Sequence, residues 1–377
     1  MQEAIKLFSS IFLPGQRTIR FSAFWSVRGL FPPPGAYSGV KGVDAMRDCM
    51  AATLAALILL FGLPWLRAED TPDKPESEPP ERKDAQITLH VQDGDEIREM
   101  TVADYLPGVV RGEMPASFQP EALKAQAVAE RTYIYYKLAT GGKAAHPKAD
   151  VCTDSRCCAA YTSKKAAAQK WGAKADKYEK RIQQAVRDTD GQVMLYDDQP
   201  ILAVFHSSSG GTTASSGDVW SQDLPYLASV ESPESKSTVP NYYSVQEVPA
   251  SAFQETFRAA HPTAHFSSDP STWVENLRYN DSGRVERATI GGVAAEGTEI
   301  RALYGLRSAD FTVECTKNAV TFHVTGYGHG VGLSQYGANE LARRGKTWRQ
   351  ILQWYYTGVR ITDDHLPSRQ RGEGVVQ

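Results

Sequence analysis

Glu113 stands between Gly112 and the pair Met114–Pro115 in the stretch VVRGEMPASFQPEALKAQAVAERTY. A lone carboxyl among apolar neighbours loses hydration, which raises its pKa and lets it serve as a general acid near neutral pH. Lys124 and Arg131 follow seven residues apart, two turns along one face of a helix formed there. That face would offer two cations at the mouth of a cleft. The plainer reading, a solvated loop carboxylate beside a solvated helix stripe, fits the same residues.

Three other segments carry chemistry. In HPKADVCTDSRCCAAY, His146, Cys152, Cys157 and Cys158 offer four soft or borderline ligands within thirteen residues, a set that suits tetrahedral zinc. A bridge between the adjacent Cys157 and Cys158 would be strained. The spacing follows no common zinc-finger pattern. Reduced cysteines packed as small apolar groups, or a Cys152–Cys158 disulfide, are the alternatives. A site with four protein ligands is closed, so such a zinc would be structural and carry no catalytic water. In FHSSSGGTTASSGDVW, Ser207, Ser208 and Ser209 precede Gly210 and Gly211, giving hydroxyls and exposed amides suited to sugar hydroxyls. A serine nucleophile paired with His206 is a weak reading: no G-x-S-x-G context is present, and a histidine so close in sequence seldom reaches its serine. In GYGHGVGLSQYGANEL, four glycines bracket His329 and let the backbone approach a ligand closely, with Ser334, Gln335 and Tyr336 leading into a helix. His329 reads equally well as a structural histidine in a tight turn.

The elements that must position these groups form an α+β mixture without regular βαβ alternation or an internal repeat. The globular part begins near Ile87 with a hairpin, ITLHV and EIREMTV alternating around QDGD. Glu113 is expected in a loop between strand and helix. A helix follows over 120–138, with Pro120 in its first turn and Gly141–Gly142 at its stop. A second helix spans 164–187, strands follow at 192–196 and 201–206, and the middle, 233–282, is Ser- and Pro-rich with one helix at 250–260. Strands at 285–290 and 311–324 and helices at 335–344 and 348–356 complete the expected order.

Ahead of that domain, residues 1–45 show no periodicity and read as a disordered or misannotated extension, with Met46 or Met50 as the true start. The apolar run 50–66 is long enough for a membrane anchor spanning 46–68. A cleaved signal peptide is the rival, but Leu66 and Arg67 make a poor cleavage site. The early basic residues Lys6, Arg17, Arg20, Arg28, Lys41 and Arg47 all precede the run, which is expected to place the N-terminus in the cytoplasm and the domain outside it, a single-pass topology. Residues 69–86 are a Pro-rich charged linker, 87–365 the catalytic domain and 366–377 a tail. A net charge of −3 and a pI near 6.3 advertise no nucleic-acid partner. Five cysteines, an odd number, exclude a complete disulfide framework within the chain.

Taken in register, the four motifs resemble the SpoIID/LytB family, over about 105–361. The resemblance implies a glycan-binding cleft in an α+β domain behind a membrane anchor. It implies lytic transglycosylation of peptidoglycan strands stripped of their stem peptides, with Glu113 as catalytic acid and base, during engulfment in sporulation. It implies substrate contacts from Lys124, Gln126, Arg131, Ser207, Ser209, Gly210, His329, Gln335 and Tyr336. It implies a zinc on His146, Cys152, Cys157 and Cys158, with Cys157 standing where the family usually has a histidine. Partners would be the glycan strands, a peptidoglycan amidase and other engulfment proteins. A non-catalytic amidase-enhancing module of the LytB type is the alternative.

Overall fold

The computed structural model describes Thr53 and residues 82–141, 145–220, 222–365 and 367. Apart from Thr53, the expected anchor and the extension before it lie outside the described residues. Among the described residues, no helix is long and apolar enough to cross a membrane.

The fold is α+β. It opens with the expected hairpin, β1 (Thr88–Asp93) and β2 (Glu96–Thr101), closed at Gly94 in the left-handed region. Helices α1 (Val102–Glu113) and α2 (Pro120–Thr140) follow, and β3 (Val151–Cys152) then joins β1 in parallel. Helices α3 (Lys164–Trp171) and α4 (Ala175–Arg187) lead to β4 (Val193–Tyr196), β5 (Gln199–Pro200) and β6 (Phe205–His206). The middle of the chain holds β7 (Tyr243–Pro249), α5 (Ala250–Ala260), β8 (Val274–Tyr279), β9 (Val285–Ile290), β10 (Val293–Glu296), α6 (Gly297–Tyr304), β11 (Phe311–Cys315) and β12 (Ala319–Thr325). The chain returns through β13 (Leu333–Ser334), α7 (Gln335–Arg343), α8 (Trp348–Tyr355) and β14 (Arg360–Thr362).

Helix α2 is the axis of the main body. Its Ala-rich sequence is buried on nearly every side and packs on α1, α4, α7, α8 and β4, as expected of a helix without a polar face. Gly141, left-handed with its N–H on the Lys137 carbonyl, ends it. A second core, built on Phe253, Phe257, Trp273, Phe311 and Phe322, lies wholly within 243–325. The folded middle is therefore an α+β insertion in sequence, with its own core, between two stretches that share the main core.

Four local expectations are corrected. Glu113 is not in a loop but is the last residue of α1, which contains Pro107, Gly108 and Gly112 and so reads poorly as a helix. The helix expected over 164–187 breaks at Gly172, which has a φ of 54°. Only Phe205–His206 of the strand expected at 201–206 pairs, in parallel with β13. Ordered structure begins ahead of Ile87: Lys83–Gln86 form a 3-10 turn that buries Asp84.

Candidate functional site

The Glu113 carboxyl is positioned by α1 and by the segment that follows the cysteines. Two glycines on α1 allow that segment to lie against the helix. A Cβ on Gly108 would meet the Tyr161 ring at 2.0 Å, and one on Gly112 would meet the Ala160 carbonyl oxygen at 2.2 Å. Tyr161 stacks on Tyr105 with centroids 5.6 Å apart. Thr162 donates its N–H to the Gly108 carbonyl at 2.9 Å. This close approach delivers the Ala160 N–H to Glu113 Oε1 at 2.5 Å.

Glu113 is half-buried. Burial raises its carboxyl above the usual carboxylate range, and the Ala160 N–H, which favours the ionised form, opposes that rise. Its place at the negative end of α1 also disfavours ionisation. The group is thus shifted toward its protonated form and is fixed at one oxygen. Its own carbonyl accepts from Gln335 Nε2 at 3.1 Å, which ties the end of α1 to the start of α7.

The fourth motif therefore reaches the backbone of Glu113. Tyr336 packs edge-on against Phe118, centroids 4.9 Å apart, and its N–H donates to the Ser207 carbonyl at 3.0 Å. Asn339 accepts from the Gln119 N–H at 2.8 Å. Glu113, Gln335, Tyr336 and Ser207 are thereby brought together. Gly210 is exposed elsewhere along the same strand system, and a Cβ there would strike Asp310 Oδ2 at 2.0 Å. His329 lies under the half-exposed Trp220 ring, 5.2 Å between centroids. Its Nδ1 accepts from the Val331 N–H at 3.1 Å. Burial first, then the Arg301 charge, pushes its pKa down to about 4, so the ring is neutral.

Other expected cleft residues are placed differently. Arg131 has no exposed surface: its guanidinium grips Asp84 at both ends, Nε to Oδ1 at 2.7 Å and a terminal nitrogen to Oδ2 at 2.8 Å. It also donates to the Val186 and Gln192 carbonyls. Arg131 fastens the start of the domain to its core and does not face a ligand. Gln126 is likewise buried, with Nε2 donating to Glu130 Oε1 at 2.9 Å. Lys124 is partly exposed but ion-paired with Glu121 at 3.0 Å and Asp188 at 3.1 Å. The solvated cationic stripe does not form, because α2 is the core of the body.

Ser209 is also fully buried. Contrary to expectation, His206 does reach a nearby serine: its Nε2 accepts from Ser209 Oγ at 2.7 Å while its Nδ1–H donates to the Val331 carbonyl at 3.1 Å. Burial first, helped by the Arg284 charge, lowers the His206 pKa well below the usual imidazole range, so the ring is neutral. With no exposed surface on Ser209, the pair cannot attack a substrate. It belongs to a buried network centred on Glu234, which the sequence reading missed. Glu234 accepts from the Ser209 N–H at 2.6 Å and from the Ser334 and Ser232 hydroxyls at 2.5 Å each. Two of these donors come from the Ser-rich and S-Q-Y-G motifs, so part of their conspicuous polarity is structural.

The metal-ligating set converges. His146 Nε2 and the sulfurs of Cys152, Cys157 and Cys158 all lie within 4.8 Å of one another. The His146 Nδ1–H donates to the Ala149 carbonyl at 3.0 Å, which leaves the Nε2 lone pair facing Cys158 Sγ at 3.2 Å. A hydrogen bond from the ring nitrogen opposite the ligating one fixes the ligating tautomer. The four cysteines among the described residues form no disulfide. Three thiols and one imidazole with burial on one side fit a closed zinc site.

Glu130 is a further residue not expected from the sequence. It sits on α2 one turn beyond Gln126, 1% exposed. The visible signal is a glutamate on an otherwise Ala- and Val-lined helix, spaced four residues from a glutamine.

Residues 91–196 match the family model described as Stage II sporulation protein, SpoIID. The chain is 37% identical over 268 residues to Stage II sporulation protein D of Bacillus subtilis (strain 168), covering 71% of this chain and 76% of that protein. It is 35% identical over the same shares to the Stage II sporulation protein D of Bacillus amyloliquefaciens. It is also 28% identical to the amidase enhancer of Bacillus subtilis (strain 168), over 68% of this chain and 40% of that protein. The chain belongs to the SpoIID family, within which it resembles both sporulation proteins and an amidase enhancer.

Proposed function

We propose that this protein is a peptidoglycan lytic transglycosylase that uses Glu113 as its single acid and base. The observation that carries the reading is the state of that carboxyl: half-buried, held toward its protonated form by burial and fixed by the Ala160 N–H. In this reading Glu113 protonates the glycosidic oxygen as its bond to C1 of the muramic acid breaks. The resulting carboxylate then removes the proton from the C6 hydroxyl, whose oxygen closes on C1 to give the 1,6-anhydro product. Glu113 ends the cycle protonated, as it began. No water is consumed, and the second carboxylate of hydrolytic glycosidases is not needed. Gln335, Tyr336, Ser207, Gly210 and His329, with the Trp220 ring, are the proposed glycan contacts.

Zinc bound by His146, Cys152, Cys157 and Cys158 would be structural. Cys158 lies two residues before Ala160, so closing that loop would hold the Ala160 N–H against Glu113. The protein would sit in the cell membrane through its N-terminal apolar segment, with the domain outside the cytoplasm. It would act on denuded strands there beside a peptidoglycan amidase and other engulfment proteins. Protease added to intact protoplasts should then digest the domain, and full protection would exclude this topology.

The resemblance to an amidase enhancer favours a second reading, a glycan-binding module without its own catalysis. One experiment separates the two. The full chain, incubated with denuded glycan and no partner, should shorten the strands if it is the enzyme. Strand cleavage only when an amidase is supplied with intact wall supports the enhancer.

A further inference from the structure

Arg284 is a buried cation without a counter-ion. It is 3% exposed, and among the described residues it forms no ion pair, unlike Arg111, Arg131 and Arg278. Its Nη1 donates to the Thr212 carbonyl at 3.0 Å and to the Ser282 carbonyl at 3.3 Å, while its Nε is buried with no acceptor. The guanidinium lies against the turn that carries His329. A Cβ on Gly330 would meet Nη2 at 2.4 Å and Nε at 2.5 Å, so the glycine makes room for it. A buried charge and an unpaired buried donor are both costly, and both call for an anion nearby.

Arg307 packs on the same turn. Its carbonyl accepts from the Gly328 N–H at 2.9 Å, and its guanidinium carbon lies 4.3 Å from the centre of the Tyr327 ring. That ring is 47% exposed, so the stacked pair stands at the surface. Arg307 also has no ion pair among the described residues, and of its side-chain nitrogens only Nε is shut away without a partner. The two terminal nitrogens are left to face outward. Asp310, three residues on, does not neutralise them: its Oδ2 is turned onto Gly210, where a Cβ would meet it at 2.0 Å. An arginine stacked on an aromatic face keeps its N–H edge free for a planar anion. Tyr327 in turn exchanges both backbone hydrogen bonds with Ser208, at 2.9 and 3.1 Å, and Ser207 beside it accepts from the Tyr336 N–H. The two arginines, both from the 243–325 insertion, thus border the rim that runs from Glu113 through Gln335, Tyr336 and Ser207.

A glycan can bring a planar anion to this rim at one place. Where the stem peptide is gone, the lactyl group of a muramic acid ends in a carboxylate; where the peptide remains, the same carbon is a neutral amide. We propose that Arg307, stacked on Tyr327 and backed by the buried charge of Arg284, is a carboxylate subsite that holds the free lactyl carboxylate of a muramic acid. The subsite would select strands from which an amide-cleaving reaction has already removed the peptide. The inference rests on the reading of this cleft as a glycan site, and not on how the glycosidic bond is cut.

The test takes the full chain and two glycans: denuded strands, and the same strands with each lactyl carboxyl capped as its methylamide. The cap removes the charge without adding the bulk of a peptide. The first readout is the ratio of kcat/KM on the two glycans. The wild type should favour the free carboxylate by about 10–100-fold, the range of a hydrogen bond to a charged group. Arg307→Met should bring the ratio close to one, and Arg307→Lys, which keeps the charge without the planar fork, should restore part of it. The second readout is equilibrium binding of both glycans to Glu113→Gln, alone and combined with Arg307→Met. The preference of Glu113→Gln for the free carboxylate should weaken as salt is raised. Circular dichroism checks that each variant is folded. A wild type that treats both glycans alike, or a folded Arg307→Met that keeps the full ratio, overturns the proposal. If the wild type cleaves neither glycan, the transglycosylase reading fails, and binding decides the subsite by itself. Equal binding of the two glycans, or binding of neither, then overturns it, and a preference lost in Arg307→Met upholds it.

Discussion

Arg131 offers the sharpest contrast between a residue that faces substrate and one that holds the fold. Arg131→Met removes the guanidinium while keeping most of its bulk. It leaves Asp84, which is 0% exposed, with only a 3.4 Å bond from the Gly191 N–H and an edge contact with Arg82 at 3.9 Å. Breaking one partner of a buried pair costs about 3–5 kcal/mol. A domain of roughly 280 ordered residues unfolds with an entropy near 0.6 kcal/mol/K, so the melting temperature should fall by about 5–8 °C. The double variant Arg131→Met, Asp84→Leu removes the stranded charge as well and should recover most of that loss. Thermal melts followed by circular dichroism give the stabilities, and strand cleavage well below the melting transition gives the activity of the folded fraction. The structure requires a large stability loss and activity within a few-fold of wild type. A melting temperature unchanged by Arg131→Met, together with lost glycan binding, would refute the structural role and return Arg131 to the cleft.

Three other outcomes follow from the same geometry. Elemental analysis of the purified chain should find about one zinc, as a mononuclear tetrahedral site requires. Cys158→Ser should lower both zinc content and melting temperature; a metal-free, equally stable wild type contradicts the site. Gly112→Ala pushes a Cβ to within 2.2 Å of the Ala160 carbonyl and should displace the Ala160 N–H from Glu113. Cleavage should drop while the stability falls by an overpacking cost of only about 1–3 kcal/mol, and wild-type cleavage by this variant would show that the contact is idle. His206 and His329 are both held neutral in the folded state, and the unfolded chain protonates them near pH 6.5. The unfolded state therefore binds more protons below that pH, and stability should fall as the pH drops from 6.5 towards 4. Denaturant titrations across this window should show that slope, and a flatter one in His329→Gln; equal slopes would remove His329 from the account.

The sequence displayed the catalytic candidate and the metal ligands more clearly than the elements that hold them. The cysteine cluster was legible because four ligands in one short loop have few other uses, and the structure brings their ligand atoms together. Helix α2 was legible from Pro120 and Gly141, but its cations were misplaced, since a helix rich in alanine does not announce that it is buried all round. Helix α1 was hidden by Pro107, Gly108 and Gly112. Two of these are glycines because Tyr161 and Ala160 lie against them, a long-range cause that no local pattern carries. Strand β7 was hidden for the opposite reason: Tyr243 and Val245 point outward while Ser244 and Gln246 point inward, inverting the usual alternation. The Ser-rich motifs drew a ligand-binding reading although Ser209 and Ser334 answer to Glu234, a residue in an unremarkable loop.

In the proposed reaction one carboxyl, Glu113, cleaves the glycan without water. Mass spectrometry of denuded glycan digested by the wild type, Glu113→Gln and Asp218→Asn tests this, Asp218 being the exposed carboxylate of the Ser-rich motif that hydrolysis could recruit as its second carboxylate. General acid–base catalysis contributes about 10²–10⁴-fold. Glu113→Gln should accordingly release almost nothing, while the wild type and Asp218→Asn release fragments ending in 1,6-anhydro-muramic acid, each one water lighter than a hydrolytic product. Reducing-end fragments from the wild type, or undiminished release by Glu113→Gln, would contradict the account.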